Sequence, residues 1–546
     1  MNLRITFILI QLLFFFNGLN AQPEKRNEPI IPKQVAKSVL FGFDKFINDQ
    51  PLQNQQNLVI CSAFNGWLYA AYSYFNNTVN QEAITFLQSK DNGVTWNVLQ
   101  NENVGLWHLK ITKMDIAIGG QDTANLKLFV GYCNYDSIST SHTALVTRYN
   151  GNTGAVEEEI LHENSKYIRD LALASDGIYP EGNSNPFTLG VVYSKDVFTG
   201  NAIVFCSSSN GGMSFNGQTT IALSSHYFDK VALTYGRSFS YPSGRYFAAW
   251  EEQVDANSPY GHIYTAHSEP NFNSSFTAPV MIDNFDPSAY NYSKNPVIAC
   301  QCNNIDNDSS NLTEVVLFEK FVPATNTSKL CGVFNPKATD STSFHKFNLN
   351  TSANNQLQPG ICFNPFDSSF IVTYFDSTLQ KLPYLLNDFN MTNPDSWSVF
   401  STGYNDNGNL VVPHPRVVVN FATHSGVNAW IDSRPGGNGA AMFDAPLIYY
   451  TGVPEKGETI NILSLKIFPN PASEYSVVEF ELSKIADVEF VISSSLGRSR
   501  VKKSFHSCTA GKHNIKLDLS EYPSGIYVIT IYAGNSISSG KIIVTK

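Results

Sequence analysis

Short apolar runs that end in an aromatic residue recur along most of the chain, with polar turns between them. Clear examples are L-Y-A-A-Y at residues 68–72, L-F-V-G-Y at 128–132 and Y-F-A-A-W at 246–250. Seven such runs close on an aromatic residue, and consecutive closing residues lie 56 to 68 positions apart: Tyr72, Tyr132, Tyr193, Trp250, Phe318, Tyr374 and Trp430. A repeat of this length predicts an array of similar structural units.

Each repeat also contains further strand-like segments. In the second repeat, residues 115–120, 126–132, 143–150 and 155–161 are predicted strands, separated by turns such as G-N-T-G at 151–154. Four antiparallel strands per repeat around one axis form a β-propeller, which leaves only short sheet edges unpaired. The pattern therefore predicts an all-β fold with a seven-bladed β-propeller over residues 50–455.

The last repeat lacks room for a fourth strand, because the apolar residues 447–451 are followed only by a short polar link. We expect the N-terminal segment, residues 22–49, to supply that strand through S-V-L-F-G-F at 38–43. The propeller would then close by pairing residues from the two ends of its chain segment.

Two turn segments resemble the Asp box of sialidase-type propellers, S-x-D-x-G-x-T-W. Residues 89–96 are S-K-D-N-G-V-T-W, and residues 208–215 are S-S-N-G-G-M-S-F, with Asn in place of Asp. The resemblance implies a turn between the third and fourth strands of a blade, away from the ligand face. It implies a structural role for Ser89, Asp91, Gly93, Trp96, Asn210, Gly212 and Phe215.

The first 21 residues have the pattern of a cleaved signal peptide. Arg4 precedes an apolar run over residues 5–16, and the small residues at 18–21 offer a cleavage point. The run is short for a membrane span, and no later segment is predicted to be a transmembrane helix. No cysteine lies at the cleavage point, which argues against a lipid anchor. The compartment is therefore expected to be extracytoplasmic.

The chain changes character near Gly457. Residues 460–546 contain 10 Lys or Arg and 7 Asp or Glu, whereas the whole chain has a net charge of −10. F-P-N-P-A at 468–472, L-G-R at 496–498, L-D-L-S at 517–520 and S-G-I-Y-V at 524–528 follow in order, and K-I-I-V-T-K ends the chain. This series resembles the type A sorting domain of the Bacteroidetes type IX secretion system.

The resemblance implies a small β-sandwich over residues 456–546 and handling by the type IX secretion machinery. It implies transit through the periplasm to the outer-membrane surface or the medium. The matching motif residues are Pro469, Asn470, Pro471, Gly497, Gly525 and Tyr527. A fused immunoglobulin-like adhesion module is the alternative.

The composition limits the classes of molecule that the chain is expected to bind. Hydrophobic residues make up 42% of the chain and charged residues 15%, which is typical of a folded protein. The acidic balance and the absence of a polybasic run argue against nucleic acid, so a glycan or a protein remains. The eight cysteines of the chain lie mostly in apolar strand patterns, which favours buried thiols over disulfides.

One column of residues begins the first predicted strand of each repeat: Asn57, Asp115, Asp170, Lys230, Pro296, Pro359 and Arg416. If these are the innermost strands, the column surrounds one mouth of the central channel, flanked by Lys113, Arg169, Asp229 and His414. We predict ligand contacts at Asp115, Asp170, Lys230, Arg416, Arg169 and His414. The alternative is a solvated rim of mutually paired charges.

The sequence contains no strong match to a known catalytic arrangement. A sialidase binds the substrate carboxylate with an arginine cluster, and here only Arg169 and Arg416 are suited to that role. Glu251 and Glu252 are adjacent and point to opposite faces of a strand, so they cannot act together. The W-I-D-S-R segment at 430–434 is better explained as a salt bridge than as a catalytic pair.

No catalytic residue, metal ligand or cofactor is therefore predicted, although the oxygen-rich loop at 306–311 could hold calcium weakly. The leading hypothesis is a secreted or cell-surface recognition propeller that binds a glycan or protein at the channel mouth. The alternative is a divergent sialidase-like glycoside hydrolase.

Overall fold

The computed structural model describes residues 40–447 and 462–546, apart from gaps at 42–43, 49, 51–52, 106, 121, 177–186, 239–240, 256–257, 259, 270–274, 284–292, 302–311, 324, 338–342, 348, 350–354, 367, 388–393, 401–402, 407–409, 434–436, 483–485, 495–498, 521 and 534–535. The described residues form two compact units, on either side of residues 448–461. Within them, a single 3-10 helix, Thr123–Asn125, accompanies the strands. The prediction of an all-β fold is confirmed.

Seven four-stranded antiparallel sheets make up the first unit in its described part. Sheet 1 consists of Gln56–Ser62, Leu68–Asn76, Gln81–Ser89 and Asn97–Asn103. Sheet 2 consists of Leu109–Gly119, Lys127–Asp136, Ser141–Asn150 and Val156–Ser165. Sheet 3 consists of Leu171–Ser175, Leu189–Val197, Gly200–Ser208 and Thr219–Ser224. Sheet 4 consists of Tyr227–Ser238, Tyr241–Gln253, His262–His267 and Val280–Met281.

The remaining sheets follow the same pattern of sequential neighbours until the last one. Sheet 5 consists of Ser293–Cys300, Glu314–Val322, Thr327–Asn335 and His345–Phe347. Sheet 6 consists of Gln356–Asn364, Ser369–Asp376, Tyr384–Asn387 and Ser398–Phe400. Sheet 7 consists of Arg416–Asn420, Ser425–Asp432, Ala440–Asp444 and, as its outer strand, Lys45–Phe46.

The first strands of successive sheets contact one another around a closed circuit. Each first strand contacts that of the next sheet, and the first strand of sheet 7 contacts that of sheet 1. The first unit is therefore a β-propeller, in which the first strands surround the axis. The second strands are packed between neighbouring sheets, and the seven aromatic residues that close the repeats are all buried.

The N-terminal segment joins the last sheet at a position slightly later than expected. Lys45–Phe46 pairs with Phe443 and Met442 of the third strand, whereas Leu40–Phe41 pairs with Pro446–Leu447 in a separate two-stranded sheet. Asp44 and Asp406 also exchange hydrogen bonds between backbone N–H and carboxylate. Residues 40–41 are thus not the outer strand of sheet 7, which is formed instead by residues 45–46.

The second unit has two antiparallel sheets. One orders Ile462–Phe468, Tyr475–Leu482 and Gly511–Asp518, and the other orders Ser499–Cys508, Ala486–Ser494, Gly525–Ala533 and Ser536–Val544. Along Tyr475–Leu482 every second side chain is buried, as expected for a strand with one face on the core. Its core contains Phe480, Phe490 and Ile529.

Candidate functional site

A cavity of about 420 Å³ lies on the axis of the propeller, and the first strands of all seven sheets contribute to its wall. Apolar residues such as Ile116, Leu171 and Val417 form the deeper part. Six polar side chains surround one end, where the side chains of His414 and Arg416 are exposed to solvent. We call these six residues the polar mouth: Lys113, Asp115, Asp170, Lys230, His414 and Arg416.

Bulges at the start of the first strands direct these side chains. The pairing of the first two strands shifts register after Gln56, Ile111, Phe228, Lys294 and Leu357 in sheets 1, 2, 4, 5 and 6. A bulge adds one residue, bends the strand and turns the neighbouring side chains. The bulge also explains why the strand predicted to begin at residue 115 begins at 109, since it interrupts the alternation from which the strand was predicted.

The structure brings together five of the six predicted ligand-binding residues. Asp115, Asp170, Lys230, His414 and Arg416 all line the cavity. Arg169, the sixth candidate, does not line it. Its guanidinium lies 3.8 Å from the Asp229 carboxylate and 5.1 Å from the centroid of the Tyr227 ring.

The two aspartates are committed to backbone hydrogen bonds. Asp115 Oδ2 accepts from the N–H of Leu173 in the next sheet at 2.8 Å. Asp170 accepts from the N–H of Leu171 at 3.0 Å and from that of Val231 in the next sheet at 3.4 Å. These carboxylates therefore link neighbouring first strands.

The same kind of link recurs around the axis. Backbone N–H groups of Asn295, Gln358 and His414 donate to side chains of the preceding sheet, at 3.1, 2.7 and 2.9 Å. The acceptors are Glu251, Glu319 and Gln358. Polar side chains near the mouth therefore have a structural task that is independent of any ligand.

Burial and the charges of neighbouring residues shift the pKa values of several groups in the polar mouth. Burial raises the pKa of Asp115, and Arg416 only partly opposes that rise. The Asp170 carboxylate raises the pKa of Lys113, but burial and the positive charges of Lys230 and Arg416 outweigh it, so that the pKa falls below its usual value. The pKa of Lys230 shifts in the opposite direction. Burial lowers it, but the negative charges of Asp170 and nearby acids raise it by a larger amount, so the pKa lies above its usual value.

Two of the cations have no carboxylate within ion-pair distance among the residues that the structure describes, although Asp170 acts on Lys113 and Arg416 acts on Asp115 through their charges. Lys230 Nζ lies 3.5 Å from Asp229. In contrast, neither Lys113 nor Arg416 forms an ion pair with any described carboxylate. The surrounding protein and the neighbouring cations lower the pKa of His414 to about 3, so its imidazole is neutral at physiological pH. The positive charge at the polar mouth is therefore carried by Lys113, Lys230 and Arg416.

The Asp-box-like turns lie at the opposite end of the strands. Asp91 accepts hydrogen bonds from Thr95 N–H at 2.8 Å and from its hydroxyl at 2.6 Å, and Ser89 Oγ accepts from Gly93 N–H at 2.8 Å. In the second turn Asn210 takes the place of Asp91 and accepts from the N–H of Ser214 at 3.1 Å.

Both turns rest on an aromatic ring of the preceding sheet. A Cβ on Gly93 would lie 2.0 Å from Phe443, and one on Gly212 would lie 2.3 Å from Phe129. The indole of Trp96 also packs edge-on against Phe443, with centroids 5.4 Å apart. Phe215 is half-buried against the core between sheets 2 and 3. The turns thus tie adjacent sheets together.

Other sequence candidates are placed as follows. Glu251 accepts from Asn295 and Gln253, whereas Glu252 accepts from Ser224, so the two glutamates face different neighbours. Burial raises the pKa of Glu251 to about 7.

Asp432 is buried, but its predicted partner at position 434 and the loop at 306–311 fall outside the described residues. The signal segment over 1–21 and Gly497 also fall outside them.

Three of the residues that line the cavity are cysteines: Cys61, Cys300 and Cys362. Cys133 and Cys206 are buried thiols, while Cys61 and Cys331 are partly exposed. Across the described ranges, no group of three or more His, Cys, Asp and Glu side chains is placed to bind a metal ion. In the same ranges, no helix is long and apolar enough to cross a membrane.

The sequence analysis missed a group of aromatic residues beside the mouth. Tyr167, in the link before sheet 3, and Tyr227, at the start of sheet 4, occupy equivalent positions, each three residues before a member of the predicted column. Arg169 and Asp229 occupy the next equivalent positions and interact. That spacing, shared by consecutive repeats, was the signal that could have identified them.

The C-terminal unit matches a known family model. Residues 466–545 match the secretion system C-terminal sorting domain. In the structure, Asn470 accepts from the N–H of Ile543 at 2.9 Å and donates to the carbonyl of Lys541 at 2.7 Å, so the F-P-N-P-A segment is held against the last strand. Tyr527 donates to the carbonyl of Pro523 at 3.0 Å. The prediction of a sorting domain is confirmed, and it indicates export by type IX secretion to the cell surface or the medium.

Comparisons of the fold give distant similarities. The α-L-arabinanase of Penicillium chrysogenum complexed with arabinobiose is 10% identical, with a TM-score of 0.44 over 75% of this chain and 98% of that chain. The GH93 α-L-arabinofuranosidase of Fusarium graminearum with arabinobiose is 9% identical, with a TM-score of 0.43 over 74% and 97%. The β-propeller domain of the Trilobed protease from Pyrococcus furiosus is 8% identical, with a TM-score of 0.37 over 77% and 100%.

No curated protein matches the chain at a significant level. At TM-scores below 0.5, the similarities to solved structures carry no information about the ligand of this chain.

Proposed function

We propose that this exported protein is a recognition propeller that binds an anionic glycan at the polar mouth. The observation that carries the proposal is the pair of cations, Lys113 and Arg416, that line one cavity without a direct ion pair to any described carboxylate. Cations at such a position are stabilised by a bound anion. A planar guanidinium suits a carboxylate or a sulfate, which can accept two hydrogen bonds from it.

Each mouth residue has a role in this proposal. Arg416 and Lys113 bind the anionic group, and Lys230 adds positive charge from beside Asp229. His414, neutral at physiological pH, exchanges hydrogen bonds with hydroxyl groups. Asp115 and Asp170 hold the first strands in place and keep the cations in position.

The architecture that supports this function is also part of the proposal. We infer that the seven sheets are the blades of a seven-bladed propeller over residues 50–455, which Lys45–Phe46 completes from the segment 22–49. The two C-terminal sheets form a β-sandwich sorting domain over residues 456–546. Residues 1–21 are a signal peptide, and the turns at Asp91 and Asn210 are Asp boxes.

A glycoside hydrolase is the second candidate, because one acid near the mouth has a suitable pKa. Glu251 is buried beside Asp229 and Lys230, and its pKa of about 7 would let it donate a proton near neutral pH. Glu251 does not line the cavity, however, and it already accepts two hydrogen bonds. Recognition without hydrolysis is therefore the better supported function.

The test is a glycan array probed with the full chain, followed by titration calorimetry on the glycans that bind. Arg416→Ala should weaken binding about tenfold or more, because a charge-assisted hydrogen bond contributes roughly 1.5–3 kcal/mol. Lys90→Ala is the matched control, since Lys90 is a cation at the opposite end of the strands, beside Trp67. Binding should also weaken with rising salt.

The proposal fails if Arg416→Ala and Lys113→Ala bind as the wild type does, or if only uncharged glycans bind. Release of reducing sugar from a bound glycan, lost in Glu251→Gln, would favour the hydrolase instead.

A further inference from the structure

Four rings form a continuous row on the same side of the propeller as the polar mouth. The centroids of Tyr135 and His142 are 5.0 Å apart, those of His142 and Tyr167 are 6.3 Å apart, and those of Tyr167 and Tyr227 are 6.5 Å apart. We call these four residues the ring row. It begins on the middle strands of sheet 2, passes the link before the first strand of sheet 3 and ends on the first strand of sheet 4.

The ring row is accessible and its edges are polar. Tyr167 is 37% exposed, and the other three rings are half-buried. The ammonium group of Lys166 lies 5.2 Å from the centroid of Tyr167. The rings therefore combine apolar faces with hydroxyl, imidazole and cationic groups in one surface strip.

A chain of charged contacts connects the end of the ring row to the cavity. Arg169 lies over Tyr227 and 3.8 Å from Asp229, and Asp229 lies 3.5 Å from Lys230. Lys230 belongs to the polar mouth. A ligand that starts in the cavity and leaves it past Lys230 would pass directly over Tyr227 and Tyr167.

We propose that the ring row binds consecutive sugar rings of an acidic polysaccharide whose carboxylate-bearing unit occupies the polar mouth. This inference rests on the proposed function, because it extends the ligand of that site from a single unit to a chain. Sugar rings present C–H groups to the faces of aromatic rings and hydroxyl groups to their polar edges, and the strip offers both.

The charges favour such a ligand over other polymers. The chain as a whole has a net charge of −10, so a polyanion is attracted only by cations within about 8 Å, the screening length at physiological salt. Lys166, Arg169 and Lys230 supply those cations along the ring row, against the carboxylates of Asp229, which Arg169 and Lys230 share, and of Asp196, which accepts from the N–H of Tyr167. A single-stranded nucleic acid would need positive charge along its whole backbone, and a peptide would need a deeper apolar pocket.

The experiment measures the affinity of the full chain for uronic acid oligosaccharides of increasing length. The probes are oligogalacturonates and oligoalginates of two to eight units, their carboxyl-reduced forms and an oligodeoxythymidylate. Affinity of the wild type should rise as the oligosaccharide lengthens. Tyr167→Ala and Tyr227→Ala should each bind the longest oligosaccharides about tenfold more weakly, with disaccharide affinity unchanged.

Two further variants complete the design. Tyr167→Trp retains a ring and should restore the affinity for long oligosaccharides. Tyr475→Ala is the matched control, because Tyr475 is an exposed tyrosine of the C-terminal unit with Lys516 Nζ 4.6 Å from its ring centroid. It should bind every probe as the wild type does.

The outcomes separate the two proposals. If affinity does not depend on length, or if the tyrosine variants bind long oligosaccharides normally while Arg416→Ala is impaired, the ring row is not a binding track and the mouth remains one. If no uronic acid oligosaccharide binds, the ring-row proposal is wrong, and if the carboxylated and sulfated glycans of the array also fail to bind, the proposed function itself is wrong. Preferential binding of the oligodeoxythymidylate would overturn both.

Discussion

Glu314 is a buried acid whose protonation should control the stability of the propeller. It begins the second strand of sheet 5, is 1% exposed, and contacts the hydroxyl of Thr265 in sheet 4 at 2.6 Å. Burial raises the pKa of Glu314 to about 7. Thr265 Oγ1 also lies 2.9 Å from the carbonyl of Ala248. Because one hydroxyl has one proton, both contacts are satisfied only when Glu314 is protonated and donates to Thr265.

The direction and size of the change in unfolding free energy follow from the pKa of Glu314. The folded protein binds the Glu314 proton more tightly than the unfolded chain, whose pKa is the usual 4.5. The free energy of unfolding should therefore fall as pH rises from about 4.5 to about 7, and this contribution should stay lost above that range. The decrease is roughly 3 kcal/mol, since one pKa unit corresponds to about 1.4 kcal/mol.

Glu314→Gln tests this reasoning, since an amide stays neutral and can donate to Thr265 at every pH. The variant should be as stable as the wild type near pH 4.5 and about 3 kcal/mol more stable near pH 8. Urea unfolding, followed by the fluorescence of the buried Trp250 and Trp430, measures the difference. Glu158→Gln is the control, because Glu158 is exposed and its ion pair with Arg148 contributes under about 1 kcal/mol. Parallel pH profiles for Glu314→Gln and the wild type would refute the account.

Three further predictions address the sheet contacts and export. Gly93→Ala should lower the free energy of unfolding by about 2 kcal/mol or more, because Gly93 has φ +83° and its Cβ would meet Phe443; Gly217→Ala, with open space, should change little in the same urea titration. Asp115→Ala should cost about 1–3 kcal/mol in that assay by leaving the N–H of Leu173 without its acceptor, and Asp115→Asn should recover most of this. Deletion of residues 460–546 should leave the protein in the periplasm on cell fractionation, and undiminished export would contradict the role of the sorting domain.

The repeat pattern predicted the fold well because burial imposes it directly. The second strand of each sheet is enclosed on both faces, so residues such as Tyr72, Tyr193 and Trp250 must be apolar and must recur with the repeat. The motifs of the C-terminal unit were equally informative, since Asn470 hydrogen-bonds the last strand and Tyr527 hydrogen-bonds the carbonyl of Pro523.

The sequence indicated where the polar mouth lies, but it did not indicate which hydrogen bonds its residues form. The column beginning with Asn57 marked the ends of the first strands, and most of its members line the cavity. A single sequence could not show that Asp115 and Asp170 accept hydrogen bonds from the next sheet, because those partners are about 60 residues away. The repeat spacing could have indicated Tyr167 and Tyr227, but not that Tyr135 and His142 continue the same row, because these two come from another sheet.

The outer strand of sheet 7 imposes an order on biogenesis. Lys45–Phe46 finds its partner only after Ala440–Asp444 has been synthesised, so nearly the whole propeller must be present before the circuit can close. The first strand of the sorting domain begins after that point, at Ile462, and the matched family region extends to residue 545. The sorting domain is therefore completed only after the last residues needed for closure. A chain truncated anywhere before that point would lack both its final strand pairing and its export label, so incomplete molecules would be withheld from the outer-membrane machinery by the order of the polypeptide itself.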